Sequence, residues 1–196
     1  MMKIAILSFT KNGSYLNKEL QTFFKKDKIE VQGFTIKKFA GELKELTPSL
    51  KEWLKNNFQN FSAFIFIGAV GIAVRSIAPL IKSKDIDPAV IVLDEKGQFV
   101  IPILSGHIGG ANEVGLKIAK FLKAIPVITT ATDINNKFAV DNFALKNNLY
   151  IDNIKDIKVI SGEILEDKKI GLFSDVQIKG ELPESLTLQK EKIGIC

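Results

Sequence analysis

The sequence predicts an α/β protein: a mostly parallel, twisted sheet with flanking helices and one β-hairpin, then a smaller second α+β unit. Three observations carry this. Short apolar runs at residues 2–8, 61–67 and 89–93 read as strands buried on both faces. Runs with helical spacing of apolar residues, such as 14–26, fall between strands. Strands alternating with helices imply parallel crossover connections. After residue 133 the runs shorten, which divides the chain into an α/β domain, 1–133, and a smaller domain, 134–196.

Residues 2–8 form the first strand. In 14–26, Leu16, Leu20, Phe23 and Phe24 share one helical face. Residues 29–36 make the second strand. Thr47 caps the next helix, with Pro48 at its first position and Leu50, Trp53, Leu54 and Phe58 as its apolar stripe. The strand 61–67 ends in Gly68-Ala69-Val70-Gly71, and a helix from Ile72 ends or bends at Pro79. Asp87-Pro88 restarts the chain. Residues 89–93 and 98–104 flank Asp94-Glu95-Lys96-Gly97, a hairpin signature. A helix over 111–123 and a strand over 125–130 follow. In the second domain, 138–149 reads as a helix, and 158–160, 162–165, 170–173 and 186–188 read as short strands.

A chain of 196 residues suits one domain, or one with a small appendage, and its 46% apolar content is that of a globular protein. The net charge of +5 favours acidic partners mildly. Its basic residues are nearly all lysine, scattered among acids, with no compact basic block bearing interleaved aromatics. That argues against a nucleic-acid partner. Cys196 is the only cysteine, so no intrachain disulfide and no cysteine-based metal site can form. The first residues read as a strand rather than a signal peptide, and the longest apolar stretch, 63–74, stops at Arg75, short of the ~20 residues a membrane span requires. A cytoplasmic protein with no membrane partner is expected.

The only histidine lies in the turn Ser105-Gly106-His107-Ile108-Gly109-Gly110-Ala111-Asn112, between an apolar strand and a helical run. Close glycines let backbone N–H groups approach a ligand, and a helix start adds positive dipole. An imidazole titrates near neutral pH. One turn thus offers anion binding and proton transfer together; the plain alternative is a packed or surface histidine. A sole histidine cannot build a multi-histidine metal site, but it can act as a base, an acid or an axial ligand to a metal already held in a macrocycle.

Arg75, the only arginine, follows the first glycine turn, Gly68 to Gly71. Its fork suits a carboxylate or phosphate; the alternative is a surface cation. Both glycine turns follow the ends of strands, so the reading brings them to one rim of the sheet, where Arg75 and His107 share a pocket. Asp94 and Glu95 offer two carboxylates, or merely a solvated turn. Thr130 and Asp133 follow a strand and offer ligand contacts, or a cap. Ser105 lacks a Gly-x-Ser-x-Gly elbow and a spare histidine partner. Gly68-Ala69-Val70-Gly71 matches neither the dinucleotide fingerprint nor the Walker pattern.

Together these blocks resemble one family. Gly68-Ala69-Val70-Gly71-Ile72-Ala73-Val74-Arg75, Ala78-Pro79-Leu80, Lys84-Asp85, Asp87-Pro88-Ala89-Val90, Asp94-Glu95, Gly97, Phe99-Val100-Ile101-Pro102, Leu104 to Asn112 and Pro126 to Asp133 occur in order. The stretch is similar to the cobalamin biosynthesis G (CbiG) family of cobalt-precorrin-5A hydrolases, closely over 68–133, about a third of the chain. Residues 134–196 resemble the family's central domain; a C-terminal domain is expected to be absent, and the final residues to resemble its opening strand.

The resemblance implies opening of a δ-lactone on a cobalt-bound tetrapyrrole in anaerobic cobalamin biosynthesis, with acetaldehyde released and cobalt-precorrin-5B formed. It implies no protein cofactor or metal site, since the anionic substrate carries the cobalt. A separate C-terminal domain or other pathway enzymes are possible partners. In this reading His107, or Asp94 or Glu95, takes a proton from water. Gly109 and Gly110 N–H groups, with Arg75, face the oxyanion. Gly68, Gly71, Ser105, Gly106, Asn112, Thr130 and Asp133 contact substrate. The rival expectation is a non-catalytic tetrapyrrole-binding or scaffold module; a third is an unrelated phosphate-binding α/β protein.

Overall fold

A computed structural model describes residues 2–147 and 149–196. The chain forms two compact units, one ending at Ile128 and the other beginning at Thr129. The first holds strands β1 (Lys3–Ser8), β2 (Glu30–Thr35), β3 (Lys44–Glu45), β4 (Ala63–Ile67), β5 (Ala89–Leu93), β6 (Phe99–Leu104) and β7 (Ile125–Pro126). Its helices are α1 (Lys11–Lys26), α2 (Leu50–Asn57), α3 (Val70–Ile77) and α4 (Ala111–Leu122). The strands make one sheet in the order β3-β2-β1-β4-β5-β6-β7. Every neighbouring pair is parallel except β5 and β6.

Side chains alternate across this sheet because successive residues of a strand face opposite sides. Ile4, Ile6, Ile65, Ile67, Ile91 and Leu93 meet Leu20 and Phe24 of α1 and Val114 and Ile118 of α4. Ala5, Leu7, Phe64, Phe66, Val90 and Val92 meet Trp53 and Leu54 of α2 and Ala73 and Ile77 of α3. Both faces are therefore covered, and the central strands can be apolar throughout. The chain winds outward from β1 to β3, then returns to β4 on the other side of β1. The switch in winding lies between β1 and β4.

Several boundaries differ from the sequence expectation. Helix α1 begins at Lys11 because Thr10 caps it, its hydroxyl accepting from Gly13 N–H at 3.0 Å. Ser49, not Thr47, caps α2, accepting from Glu52 N–H at 3.2 Å. The strand expected over 125–130 is only β7, because β6 offers it two register partners, Phe99 and Val100.

The second unit holds α5 (Ala131–Ile134), α6 (Val140–Lys146), α7 (Ile157–Leu165), β8 (Ile170–Leu172), β9 (Leu186–Thr187) and β10 (Gly194–Ile195). The expected strands at 158–160 and 162–165 are instead the helix α7. Ile157, Ile160 and Ile164 recur at helical spacing and are all buried. The helix expected over 138–149 is the shorter α6, and Asn148 of that span lies outside the described residues. The final residues, expected to resemble a further domain's opening strand, form β10, which pairs with β8 in a sheet ordered β10-β8-β9. Ile160, Ile164, Ile170 and Leu186 form its core.

Candidate functional site

The antiparallel turn of β6 decides where the histidine lies. Strands β1, β2, β4 and β5 end at one edge of the sheet, the carboxyl edge. Strand β6 starts there, with Val100 opposite Leu93, and ends at the other edge, with Leu104 opposite Val90. The His107 turn therefore sits at the amino edge, beside the beginnings of β1, β4 and β5.

At that edge the turn is drawn tight. Ser105 adopts φ 54° and Gly110 φ 79°, left-handed conformations that cost a non-glycine residue more. Ser105 Oγ donates to the Asp87 carbonyl at 2.9 Å. The Ser105 carbonyl accepts from Ala111 N–H at 3.1 Å, the Gly106 carbonyl from Asn112 N–H at 3.0 Å and the His107 carbonyl from Gly110 N–H at 2.8 Å. A Cβ on Gly109 would lie 2.4 Å from Ser105 Cβ and 2.8 Å from the Ser105 carbonyl oxygen, so only glycine fits. The first N–H groups of α4 and that of Gly110 are spent on the turn itself. That corrects the expectation that Gly110 N–H faces an oxyanion.

Beside the turn an open cleft of about 530 Å³ is lined by Lys3, Glu30, Phe61, Ser62, Asp87 and Gly109, among others. Lys3 Nζ pairs with Glu30 at 3.4 Å and stands 4.9 Å from the Phe61 ring centroid. Asp87, 4% exposed, accepts from Lys82 N–H through both carboxylate oxygens, at 2.9 and 3.2 Å. In the same loop the Ser83 hydroxyl, followed by the residue's own N–H, holds the Asp85 carboxyl below its ordinary range. Sequence reasoning missed Asp87 as a brace, because Asp-Pro at a strand start reads only as a turn.

The remaining first-unit residues lie at the carboxyl edge. Gly68 N–H donates to the Leu93 carbonyl at 2.8 Å, pinning the first glycine turn to the end of β5. Arg75 is exposed on α3, and its guanidinium folds back over Gly71, whose Cβ would lie 3.5 Å from Nη1. Asp94 organises the hairpin: its carboxylate accepts from the N–H groups of Lys96 (2.8 Å), Gln98 (2.8 Å) and Phe99 (2.7 Å). Glu95, half-buried, sits beside it.

The sheet separates these residues from the His107 turn by the length of β5. Five residues at about 3.3 Å each span roughly 16 Å. The expected pocket shared by His107 and Arg75 does not form. Gly68, Gly71, Arg75, Asp94 and Glu95 are corrected to a separate edge, because β6 runs antiparallel to β5. Thr130 and Asp133 belong to the second unit, where the Thr130 carbonyl accepts from Asp133 and Ile134 N–H groups, both at 3.1 Å. That unit has its own cleft of about 580 Å³, with Lys137 and Lys168 in its lining. Lys137 is held protonated above its ordinary range by its bond to Asp167, and Lys168 likewise by Glu166 and Glu163.

Fold and site together define a doubly wound α/β unit with a histidine-bearing glycine turn at the amino edge, linked to a small α+β unit. Residues 52–133 match the family described as Cobalamin synthesis G N-terminal, and 138–192 match the Cobalamin biosynthesis central region. The chain belongs to the cobalamin biosynthesis G family. It is 38% identical over 185 residues to a cobalt-precorrin-5A hydrolase of Salmonella typhimurium, covering 91% of this chain and 50% of that one. It is 35% identical over 186 residues to the cobalt-precorrin-5A hydrolase of Priestia megaterium, covering 90% of this chain and 47% of that one. The chain thus spans about half the length of these curated relatives. A cobalamin biosynthesis protein G homolog from Sulfolobus solfataricus shares the fold, with a TM-score of 0.59 at 23% identity over 98% of this chain and 58% of the other. Among the described residues, no helix is long and apolar enough to cross a membrane.

Proposed function

We propose that this chain takes part in opening the δ-lactone of cobalt-precorrin-5A, with the amino-edge turn as the reacting end of the site. The observation that supports it most is the match to two cobalt-precorrin-5A hydrolases across about 90% of the chain, a span that includes the sole histidine's turn. Water adds to the lactone carbonyl while His107 accepts its proton. The ring C–O bond breaks, leaving a carboxylate and an alcohol. Loss of the alcohol's proton cleaves the adjacent C–C bond. Its electron pair passes into the conjugated macrocycle, which takes up a proton, and acetaldehyde leaves. The cobalt belongs to the substrate, and the chain needs no cofactor of its own in this reading.

The reading places the enzyme in the cytoplasm and leaves room for a further domain or partner enzyme to complete the site. The test incubates purified chain, alone and with the remaining half of a curated relative, with the cobalt-bound lactone and traps released aldehyde. Absence of aldehyde in both arms defeats the proposal.

The two edges also make a quantitative prediction. Sites that share no partners and lie more than about 7–10 Å apart contribute independently, within about 0.3–0.5 kcal/mol. The effects of His107→Ala and Arg75→Ala on kcat/KM are therefore expected to multiply in the double variant. Strong coupling between them would restore the single shared pocket.

A further inference from the structure

We infer that Ser105 is a positioning residue for His107, acting through Asp87 rather than through contact with substrate. The inference rests on the proposed role of His107. Ser105 adopts a left-handed backbone although the same turn holds glycines one, four and five residues away, at 106, 109 and 110. A serine there has a strain cost that its hydroxyl bond offsets. That bond, 2.9 Å to the Asp87 carbonyl, is a long-range one across eighteen residues of chain.

Asp87 is itself immobilised. Its N–H donates to the Ser83 carbonyl at 2.9 Å, and its buried carboxylate receives Lys82 N–H. The next strand begins at Ala89, whose N–H donates to the Ser62 carbonyl at 3.0 Å. The brace therefore runs from the sheet through Asp87 to Ser105, and from Ser105 to α4 through its carbonyl and Ala111 N–H. His107 lies inside this loop, two residues from the braced serine and four from the helix start. Gly109 closes it from below, against Ser105 and 3.4 Å from Ala89 N by its would-be Cβ. A turn tied at Ser105 by both hydroxyl and carbonyl fixes the direction in which the imidazole leaves the backbone. The hydroxyl proton points inward, so Ser105 serves this purpose instead of donating to a ligand.

The chain has one histidine, so its imidazole carbon-bound protons give a single set of NMR resonances that reports on this turn without any activity. Two variants separate the hydrogen bond from the strain. Ser105→Ala loses the hydroxyl and keeps a Cβ in the left-handed region; Ser105→Gly loses the hydroxyl and relieves the strain. Both are expected to keep the circular dichroism of the folded protein and to move or broaden the imidazole resonances. In the complete hydrolase, kcat is expected to fall roughly ten- to hundredfold, as for a displaced catalytic group, with KM unchanged.

Unmoved imidazole resonances in both folded variants would overturn the inference. So would a change confined to Ser105→Ala, which would assign the effect to strain. If the resonances move in both variants while His107→Ala still releases aldehyde at the parent rate, the brace stands and the catalytic reading of His107 fails instead.

Discussion

His107→Ala is expected to lower aldehyde release about 100-fold or more, with tetrapyrrole binding retained. The size follows from what a positioned base contributes to proton transfer. Without the imidazole, water must attack unassisted or lose its proton to bulk solvent. The turn's backbone bond at residue 107 is kept in the variant: the 107 carbonyl still accepts from Gly110 N–H, at 2.8 Å in the parent. A change in kcat with unchanged binding, followed by absorbance titration of the macrocycle, separates a lost base from a collapsed loop. Turnover at the parent rate would remove His107 from the reaction. The carboxylates offered as alternative bases would not inherit the role at this edge. Asp94 is committed to three backbone N–H groups, and both it and Glu95 stand across the sheet.

The sequence was most informative where burial forces a pattern. Strands such as 63–67 and 89–93 are apolar at every position because helices cover both faces, and α1 and α4 carry the apolar stripes that meet them. Short elements were illegible for the complementary reason. The residues of α7 alternate enough to imitate two strands, and only the burial of Ile157, Ile160 and Ile164 on one face settles the period. The paired edge β3 consists of two residues whose pairing depends on the neighbouring strand, which no local pattern encodes.

The misplaced site has a sharper lesson. The hairpin between 89–93 and 98–104 was readable from Asp94-Glu95-Lys96-Gly97, and a hairpin reverses the chain. The turn that follows its second strand must then lie at the opposite edge from the turn that follows β4. Two glycine turns, each after a strand, look equivalent in sequence, and strand direction distinguishes them. Asp87 was invisible for another reason: its value comes from burial and from a contact eighteen residues away, neither of which the Asp-Pro pair announces.

Gly33→Ala is expected to cost about 3 kcal/mol in the first unit, a combination of overpacking and a broken buried hydrogen-bond network. Gly33 lies in β2 opposite Ile6 of β1. A Cβ there would stand 2.4 Å from Asn17 Oδ1 and 2.1 Å from Gln21 Nε2. Gln21 is long and half-buried and can swing away. Asn17 cannot: it is a fully buried residue of α1 itself, and its amide nitrogen reaches the Ile6 carbonyl at 3.0 Å, and Ser8 Oγ and the Phe34 carbonyl at 3.1 Å each. Moving it strips partners from groups with no water to replace them, and Ser8 and Thr35 beside it are equally buried. Thermal unfolding should fall by roughly 10 °C for a chain of this size. Asn17→Ala removes the obstructing amide, so the double variant should lose less than the two single losses combined, a coupling that marks direct contact. An unfolding midpoint for Gly33→Ala equal to the parent's would mean that Asn17 does not lie over this strand, and the packing of α1 on β1 and β2 would have to be redrawn.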